Sequence, residues 1–276
     1  MAINSEFHFT QSNLQDYIAC PRRFELRYMD QRRWPAVQSE PALEQEKQML
    51  LGQRFHQMVH QYCLSIPVNP AAIAQQDNDL AFWWQQFIQY NPFAGLPAAR
   101  YPEHTLSAHL AGFRLVAKYD LLAIDPGKSI VIVDWKTGAP SPANRLKQRV
   151  QSHLYPYLVV EACAYLNGGI PVQPEQVQMM YWFALQPDSP VVFPYHQQSY
   201  TADRQFFSNL IREINERPPG KFMLTNDERA CQFCIYRSLC GRGDKAGDWH
   251  ELPDESDGEL PSSLDFDIDQ IGAIAY

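Results

Sequence analysis

The chain has 276 residues, 45% apolar and 20% charged, which suits a soluble globular protein with a core large enough for one large domain or two small ones. No apolar run approaches the ~18 residues of a membrane helix, and "MAINSEFHFTQSN" has no basic or apolar leader region, so no transmembrane helix and no signal peptide are expected, and a cytoplasmic protein is. Residues 244–276 hold ten acids and one base, a net −9 of the overall −8, so residues 1–243 sum to about +1 and bulk charge neither demands nor forbids a nucleic-acid partner.

In chain order, "SNLQDYIACPRRFELRYM" predicts a helix capped at Ser12 and broken or restarted at Pro21. Residues 43–63 predict a long helix with an apolar stripe of Leu51, Phe55, Met58, Val59 and Tyr62. "NDLAFWWQQFIQY" predicts another, followed by a Pro/Gly-containing loop over 91–102. The period then shortens. "HTLSAHLAGFRLVAKYDLLAIDPGKSIVIVDW" predicts two or three strands with a turn at "DPGK". "NRLKQRVQSHLYPYLVVEACAYLN" predicts one long helix kinked at Pro156. "EQVQMMYWFAL" and "PVVFPYH" predict strands, and "ADRQFFSNLIREINER" an amphipathic helix ended by Pro218-Pro219-Gly220. The order predicts a mixed α/β domain with helical additions over residues 1–243. Residues 244–276 form an acidic Pro/Ser/Gly-rich tail. It reads as flexible and solvated, or as a peptide that docks a partner or covers a basic groove through "LDFDIDQIGAIAY".

The chemistry concentrates at strand ends. Asp120 follows "RLVAKY" and Asp134 ends the next strand, so antiparallel pairing brings two carboxylates near each other. Two buried carboxylates repel, and a divalent cation with a taste for oxygen ligands, Mg²⁺ or Mn²⁺, neutralises them. Lys136 leaves the strand on the face of Asp134, because side chains alternate with period two, while Trp135 points into packing on the other face. A lysine so placed can orient water or stabilise charge on a phosphate. By itself Asp-x-Lys also describes an ordinary ion pair at a strand end.

The set resembles the RecB-like branch of the PD-(D/E)xK nuclease superfamily. Four motifs occur in that family's order: "GQRFH" with His56, "AKYD" with Asp120, "DWKTG" with Asp134 and Lys136, and "QSHLY" with Gln151 and Tyr155. The usual Gly three residues before the first Asp is Ala117 here. The resemblance covers about residues 7–242. It implies a restriction-endonuclease-like α/β core, a mixed central sheet flanked by helices, and a metal held by His56, Asp120, Asp134 and the backbone carbonyl of Trp135. It implies that Gln151 and Tyr155 line the groove and touch DNA or Lys136, and it matches Glu103 to a Glu often found upstream of the first Asp. On residue type alone His56 is equally a core histidine, and Gln151 and Tyr155 ordinary helix positions.

Six cysteines in a chain without a secretory signal favour metal or buried thiols over disulfides. Cys231, Cys234 and Cys240 give C-x2-C-x5-C and lack a nearby fourth ligand; His250 is ten residues on, and Cys20 is the remaining candidate. One early cysteine and three late ones resemble the iron–sulfur members of the same family, the AddB-type nuclease domains and the small nucleases of CRISPR adaptation modules. That resemblance implies a [4Fe–4S] cluster stapling the two ends of the chain, with zinc the rival occupant. Cys63 and Cys163, among apolar helix neighbours, read as buried thiols. Arg22, Arg23, Arg27, Arg32 and Arg33, and Arg145, Lys147 and Arg149, are either solvated or hold phosphates. Trp83, Trp84, Tyr155 and Tyr157 are either core or platforms for unpaired bases. The expected function is a metal-dependent deoxyribonuclease, an exonuclease by expectation. It acts on single strands or DNA ends in repair, recombination or foreign-DNA processing. The alternative is a non-catalytic DNA-binding or scaffolding module of a helicase–nuclease or CRISPR-type complex.

Overall fold

A computed structural model describes residues 3–32, 40–69, 77–232 and 234–243; Arg33, His250 and the acidic tail lie outside them. Elements run β1 (His8–Phe9), α1 (Gln11–Ala19), α2 (Pro21–Phe24) with a π-turn continuation (Glu25–Met29), α3 (Glu40–Cys63), α4 (Asn78–Tyr90), β2 (Ala99–Leu110), β3 (Phe113–Asp125) and β4 (Ser129–Lys136). They continue with α5 (Ala143–Gln148), α6 (Val150–Ala162), β5 (Val177–Phe183), β6 (Gln186–Pro194) and α7 (Gln197–Glu216).

Several boundaries differ from expectation. The cap of α1 is Thr10, not Ser12. Its side chain accepts from the Asn13 N–H, and Asn13 Oδ1 accepts from the Thr10 N–H at 2.9 Å, a reciprocal box that Ser12, inside the helix, cannot form. The single helix expected around Pro156 is two. Arg149 is extended (φ −67°, ψ 141°), so α6 starts afresh with Gln151 in its first turn, and Pro156 sits within it. The loop expected to run to 102 ends at Ala99, where β2 begins.

The sheet is mixed. β3 pairs antiparallel with β2 along one edge; its other edge carries β1, parallel, at Arg114–Leu115 and β4, antiparallel, from Leu121. β4 pairs parallel with β5, and β5 antiparallel with β6. Helices cover both faces. One layer packs α1, α6 and α7 on Ile130, Ile132, Met179 and Tyr181; the other packs α3 and α4 on Val133, Trp135, Met180 and Trp182. Alternation along β4 therefore sends Trp135 to the second layer and Asp134 and Lys136 to the first, as period two requires.

The second layer is an aromatic cluster. Phe55 stacks on Trp182, and Phe87 meets Trp135 edge-on. Trp83, Trp84, Tyr155 and Tyr157 are all buried, which makes them core. Leu51, Phe55, Met58 and Val59 of the α3 stripe are buried too, whereas Tyr62 stays exposed and lies flat on Phe93. After α7 the chain returns to the N-terminal helices. Phe222 stacks on Phe24, the Arg22 N–H donates to the Met223 carbonyl at 3.2 Å, and the Tyr236 hydroxyl donates to the Arg32 carbonyl at 2.9 Å.

Candidate active site

The sheet is interrupted at one level. β2 and β3 keep register from Ala99↔Ile124 to Leu110↔Phe113, yet the Glu103–Asp120 position is skipped, and Glu103 has φ +51°. Alternation slips there in both strands. Leu115, Ala117 and Tyr119 face the first layer, but so do Leu122 and Ile124, with Leu121 in the second. On β2, Leu106, Ala108 and Leu110 share the first layer with Tyr101. On the other side of β3, pairing with β4 stops at Leu121↔Val133. The strands therefore part at Asp120, and the Trp135 backbone needs other partners.

It finds them in side chains. The Trp135 N–H donates to Asp120 Oδ2 at 2.9 Å, and the Trp135 carbonyl lies 3.0 Å from His56 Nε2. The other ring nitrogen of His56 lies 3.1 Å from Asp120 Oδ1. His56 comes from α3, which approaches closely because residue 52 is glycine: a Cβ there would stand 3.2 Å from Thr137 Oγ1. Glu103 completes the group. One ligand atom each from His56, Glu103 and Asp120 lies within 4.8 Å of the others, and Glu103 also pairs with Lys118.

On the first-layer side of the same gap, Lys136 Nζ lies 2.9 Å from Asp134 Oδ2, and the Gln151 amide donates to Asp134 Oδ1. Asp134, Lys136, Gln151 and Tyr155 are all buried. Tyr155 packs its ring 4.8 Å from Tyr119, whose hydroxyl donates to the Tyr155 carbonyl at 2.9 Å.

The charges are mutually dependent. Burial pushes the Asp134 carboxyl up to about 6, the Asp120 charge pushes the same way, and Lys136 and His56 oppose it. Burial would also raise Asp120, but the adjoining His56 charge and hydrogen bond, with the Trp135 N–H, hold it below the usual range. Burial would lower His56, and the Asp120 and Asp134 charges outweigh it and push it up to about 9. The raised His56 value fits its two acceptors, the Asp120 carboxylate and the Trp135 carbonyl. The donor set of carboxylate oxygens, imidazole nitrogen and backbone carbonyl equally suits a hard divalent cation.

Among the cysteines, Cys20 and Cys231 are buried and Cys234 and Cys240 half-buried. Burial raises all three late thiols, and Cys20 is close enough for its charge to raise each of them further; Arg23 opposes the shift at Cys234 and Arg22 at Cys240. Cys163 is fully buried and Cys63 half-buried. Arg22 pairs with Glu25, and Arg23 and Arg27 pair with Asp16 at 2.9 and 2.8 Å, so these cations serve the fold. Arg145 and Lys147 are exposed on α5.

Sequence reasoning did not single out Tyr181 or Ser152. Ser152 Oγ lies 2.7 Å from the Tyr181 hydroxyl, which reaches Gln151 Oε1 at 3.4 Å. A tyrosine inside "QMMYWF" reads as strand core, and only the register of β5 beside β4 brings it under the site.

No curated protein sequence is detectably similar to the chain. Among solved structures, SSO0001 is 12% identical with a TM-score of 0.38, covering 86% of this chain and 87% of its own. A candidate exonuclease from Eubacterium rectale is 12% identical with a TM-score of 0.48, covering 82% and 86%. Among the described residues no helix is long and apolar enough to cross a membrane. The sequence model of the PD-(D/E)XK nuclease superfamily matches residues 8–241, nearly the whole of the described sheet and helices, and the chain belongs to that superfamily.

Proposed function

We propose that the protein is a metal-dependent DNA nuclease acting on single strands or DNA ends, with its site at the parting of β3 and β4. The observation that carries this is the convergence of His56, Asp120 and the Trp135 carbonyl beside the buried Asp134–Lys136–Gln151 set. Binding alone would not call for a buried ammonium held against a buried acid at the mouth of an acidic cluster. His56, Asp120, Asp134 and the Trp135 carbonyl, with Glu103 at the edge, would hold Mg²⁺ or Mn²⁺. That ion supplies Lewis-acid stabilisation of phosphate charge and a lower pKa for water.

Lys136 does the rest of the electrostatic work. Its ammonium is held beside Asp134, so its charge is already in place to stabilise the attacking water or a non-bridging phosphate oxygen without reorganisation. The water oxygen forms a bond to phosphorus as the bond to the leaving sugar oxygen breaks; the water gives up a proton to bulk solvent, and the leaving oxygen takes one up from solvent to become a hydroxyl. Gln151 keeps Asp134 in place while that happens. Arg145, Lys147 and Arg149 precede Gln151 and suit phosphates of the flanking strand, a contact that carries no base information.

We extend the proposal to a [4Fe–4S] cluster on Cys20, Cys231, Cys234 and Cys240. The mutual influence of the four thiols and the packing of the chain ends on each other support it. Its role is a staple whose binding free energy is partly folding free energy. Iron and sulfide analysis of protein purified without oxygen, with the broad absorbance near about 400 nm expected of such clusters, decides between iron and zinc. The acidic tail is proposed to dock a protein partner in the cytoplasm.

The deciding experiment is cleavage of plasmid and of 5′- and 3′-labelled single strands with Mn²⁺ by wild type and Lys136→Ala. Degradation by wild type alone supports the nuclease. Equal inactivity on every substrate supports the scaffolding module instead.

A further inference from the structure

We infer that the groove between the end of α3 and the start of β2 is a seat for an unpaired nucleobase, stacked on Tyr62 with Arg100 at its phosphate. The inference rests on the nuclease reading for the path of the strand, and adds to it the surface that selects single strands over duplex.

The groove has a volume of about 640 Å³ and is lined by Tyr62, Cys63, Ile66, Ile88, Phe93 and Arg100 among others, a size usual for a small-molecule site. Tyr62, Ile66 and Ile88 are 45%, 47% and 48% exposed, so apolar surface gathers toward solvent at one place. The Tyr62 ring runs parallel to Phe93 (centroids 6.0 Å apart, 4° between planes) and meets Trp84 and Phe87 edge-on. Its orientation is therefore set before anything binds, which lowers the ordering cost of stacking a base on it. Arg100 supplies the charge. Its guanidinium stands 4.6 Å over the Phe93 ring, and one N–H points to the Phe93 carbonyl at 3.5 Å. Among the described residues no carboxylate pairs with Arg100, so donors remain for a phosphate oxygen.

Two elements lead from the metal group to this groove. Cys63 follows His56 by seven residues, almost two full turns, so it falls on the same face of α3 about 10 Å further along. Arg100 precedes Glu103 by three residues on β2, again about 10 Å. Burial pushes the Cys63 thiol up to about 11, and the charges of both Arg100 and Glu103 reach it, the first lowering and the second raising its value. The groove and the metal group are thus neighbours along one surface. A strand with its scissile phosphate on the metal group brings a base about three nucleotides away over Tyr62, since stacked bases repeat at about 3.4 Å. Every base has a π-face, so the seat takes any unpaired base without reading sequence. Bases of a duplex are already stacked on their own neighbours and cannot enter without unpairing. The cation at the rim and the metal group at one end favour a phosphate-bearing ligand over an apolar peptide.

The test is fluorescence anisotropy of a labelled oligothymidylate in Ca²⁺, with cleavage in Mn²⁺ scored separately. Tyr62→Ala should weaken binding of the single strand about tenfold, while Tyr62→Phe, which keeps the π-face, should leave it unchanged. Tyr62→Ala should have no effect on a strand of abasic tetrahydrofuran nucleotides or on a duplex. Arg100→Gln should weaken the single strand and flatten its log affinity against log salt by about 0.7, the slope of one phosphate contact. Equal affinity of wild type and Tyr62→Ala for the base-bearing strand overturns the inference, and so does an equal loss on base-bearing and abasic strands. Tighter binding by Tyr62→Ala that vanishes on removal of residues 244–276 would assign the groove to the chain's own tail and overturn it too. Wild type that binds the strand and does not cleave it defeats the nuclease reading and leaves the stacking test standing; wild type that binds no strand defeats both. Should Tyr62→Ala not fold, Tyr62→Leu keeps the apolar bulk and loses the flat face, with about a threefold loss expected on the base-bearing strand alone; no loss there overturns the inference.

Discussion

Replacing Lys136 by methionine separates stability from chemistry at one atom. Methionine keeps most of the length and apolar bulk and removes the ammonium, which stands 2.9 Å from Asp134 Oδ2 with side chains only 11% and 6% exposed. Removing one partner of a buried ion pair costs about 3–5 kcal/mol, because the other charge is left buried. Gln151 still donates to Asp134 Oδ1, which puts the cost near the lower end, about 3 kcal/mol. At about 2–4 °C per kcal/mol for a domain of this size, the melting temperature should fall by roughly 6–12 °C in chelator-treated protein. Loss of a preorganised donor to the reacting phosphate should lower kcat by about 10²–10³. Single-turnover cleavage of a labelled single strand with Mn²⁺, run well below both melting temperatures, isolates the second effect from the first. Lys136→Arg should not restore activity, since a planar guanidinium cannot occupy the place of a compact ammonium against Asp134. A Lys136→Met protein that melts lower but keeps kcat within tenfold of wild type would refute the catalytic role and leave only the ion pair.

If the proposed cluster is present, Cys20→Ala should bind less iron than wild type and melt at a lower temperature; an iron content equal to wild type by elemental analysis would remove Cys20 from the ligand set. Phe55→Ala should cost about 3–5 kcal/mol by chemical denaturation, because Phe55 is fully buried and stacks on Trp182. A cost below about 1 kcal/mol would show that the α3 layer tolerates collapse at that position. His153 has its imidazole pKa raised chiefly by its hydrogen bond to Asp203 at 2.7 Å, helped by the Lys147 carbonyl and opposed by burial and the Lys147 charge. A raised folded-state value means the pair stabilises the fold fully below about pH 6.5 and loses that contribution as pH rises through the higher folded value. The melting difference between wild type and His153→Gln should therefore be largest in acid and shrink in base; a difference growing with pH would contradict the assignment. Deleting residues 244–276 removes a net −9 and should tighten oligonucleotide binding at low salt, with the gain fading as salt rises.

How far the sequence foretold this site depends on distance along the chain. Asp134 and Lys136 were legible because two residues in a strand share a face whatever the fold, and the ion pair follows from that alone. Asp120 was legible through its family motif, but the bend that frees it was not. Nothing in "AKYDLLAID" marks a slip in alternation, which takes shape only when β2 bends with β3 at Glu103. The split at Arg149 was missed because "NRLKQRVQSHLY" has unbroken helical character, whereas the break is set by tertiary partners such as Gln15, whose side chain lies 3.4 Å from the Val150 N–H. The cap was read as Ser12 where the structure has Thr10, for a similar reason. Both are good caps by residue type, and only the reciprocal bonds with Asn13 decide between them. The N-terminal arginines read as either solvated or phosphate-holding, and their pairing within the fold was not legible: Arg22 pairs with Glu25, and Arg23 and Arg27 with Asp16, acids of the neighbouring helical turns.

The parting of the strands explains why these residue types meet at all. The Lys136 carbonyl is bonded by the Ala184 N–H beyond β5, so one residue earlier the N–H and C=O of Trp135 point the opposite way, toward β3. In an unbroken ladder they would pair with the backbone of Tyr119, two positions on from Leu121↔Val133. With β3 bent away, two main-chain groups beside a fully packed indole stand to be left unpaired, at about 1–3 kcal/mol each. Asp120 satisfies the N–H, and His56, held by the same carboxylate, faces the carbonyl. Repairing the ladder with side chains thus delivers a carboxylate, an imidazole and a main-chain carbonyl to one spot, which a continuous sheet could not expose. It follows that Asp120→Ala removes a structural acceptor as well as a charge. Asp120→Asn, which can still accept from the Trp135 N–H, should keep the fold while changing the charge, and is the cleaner probe of what the carboxylate does.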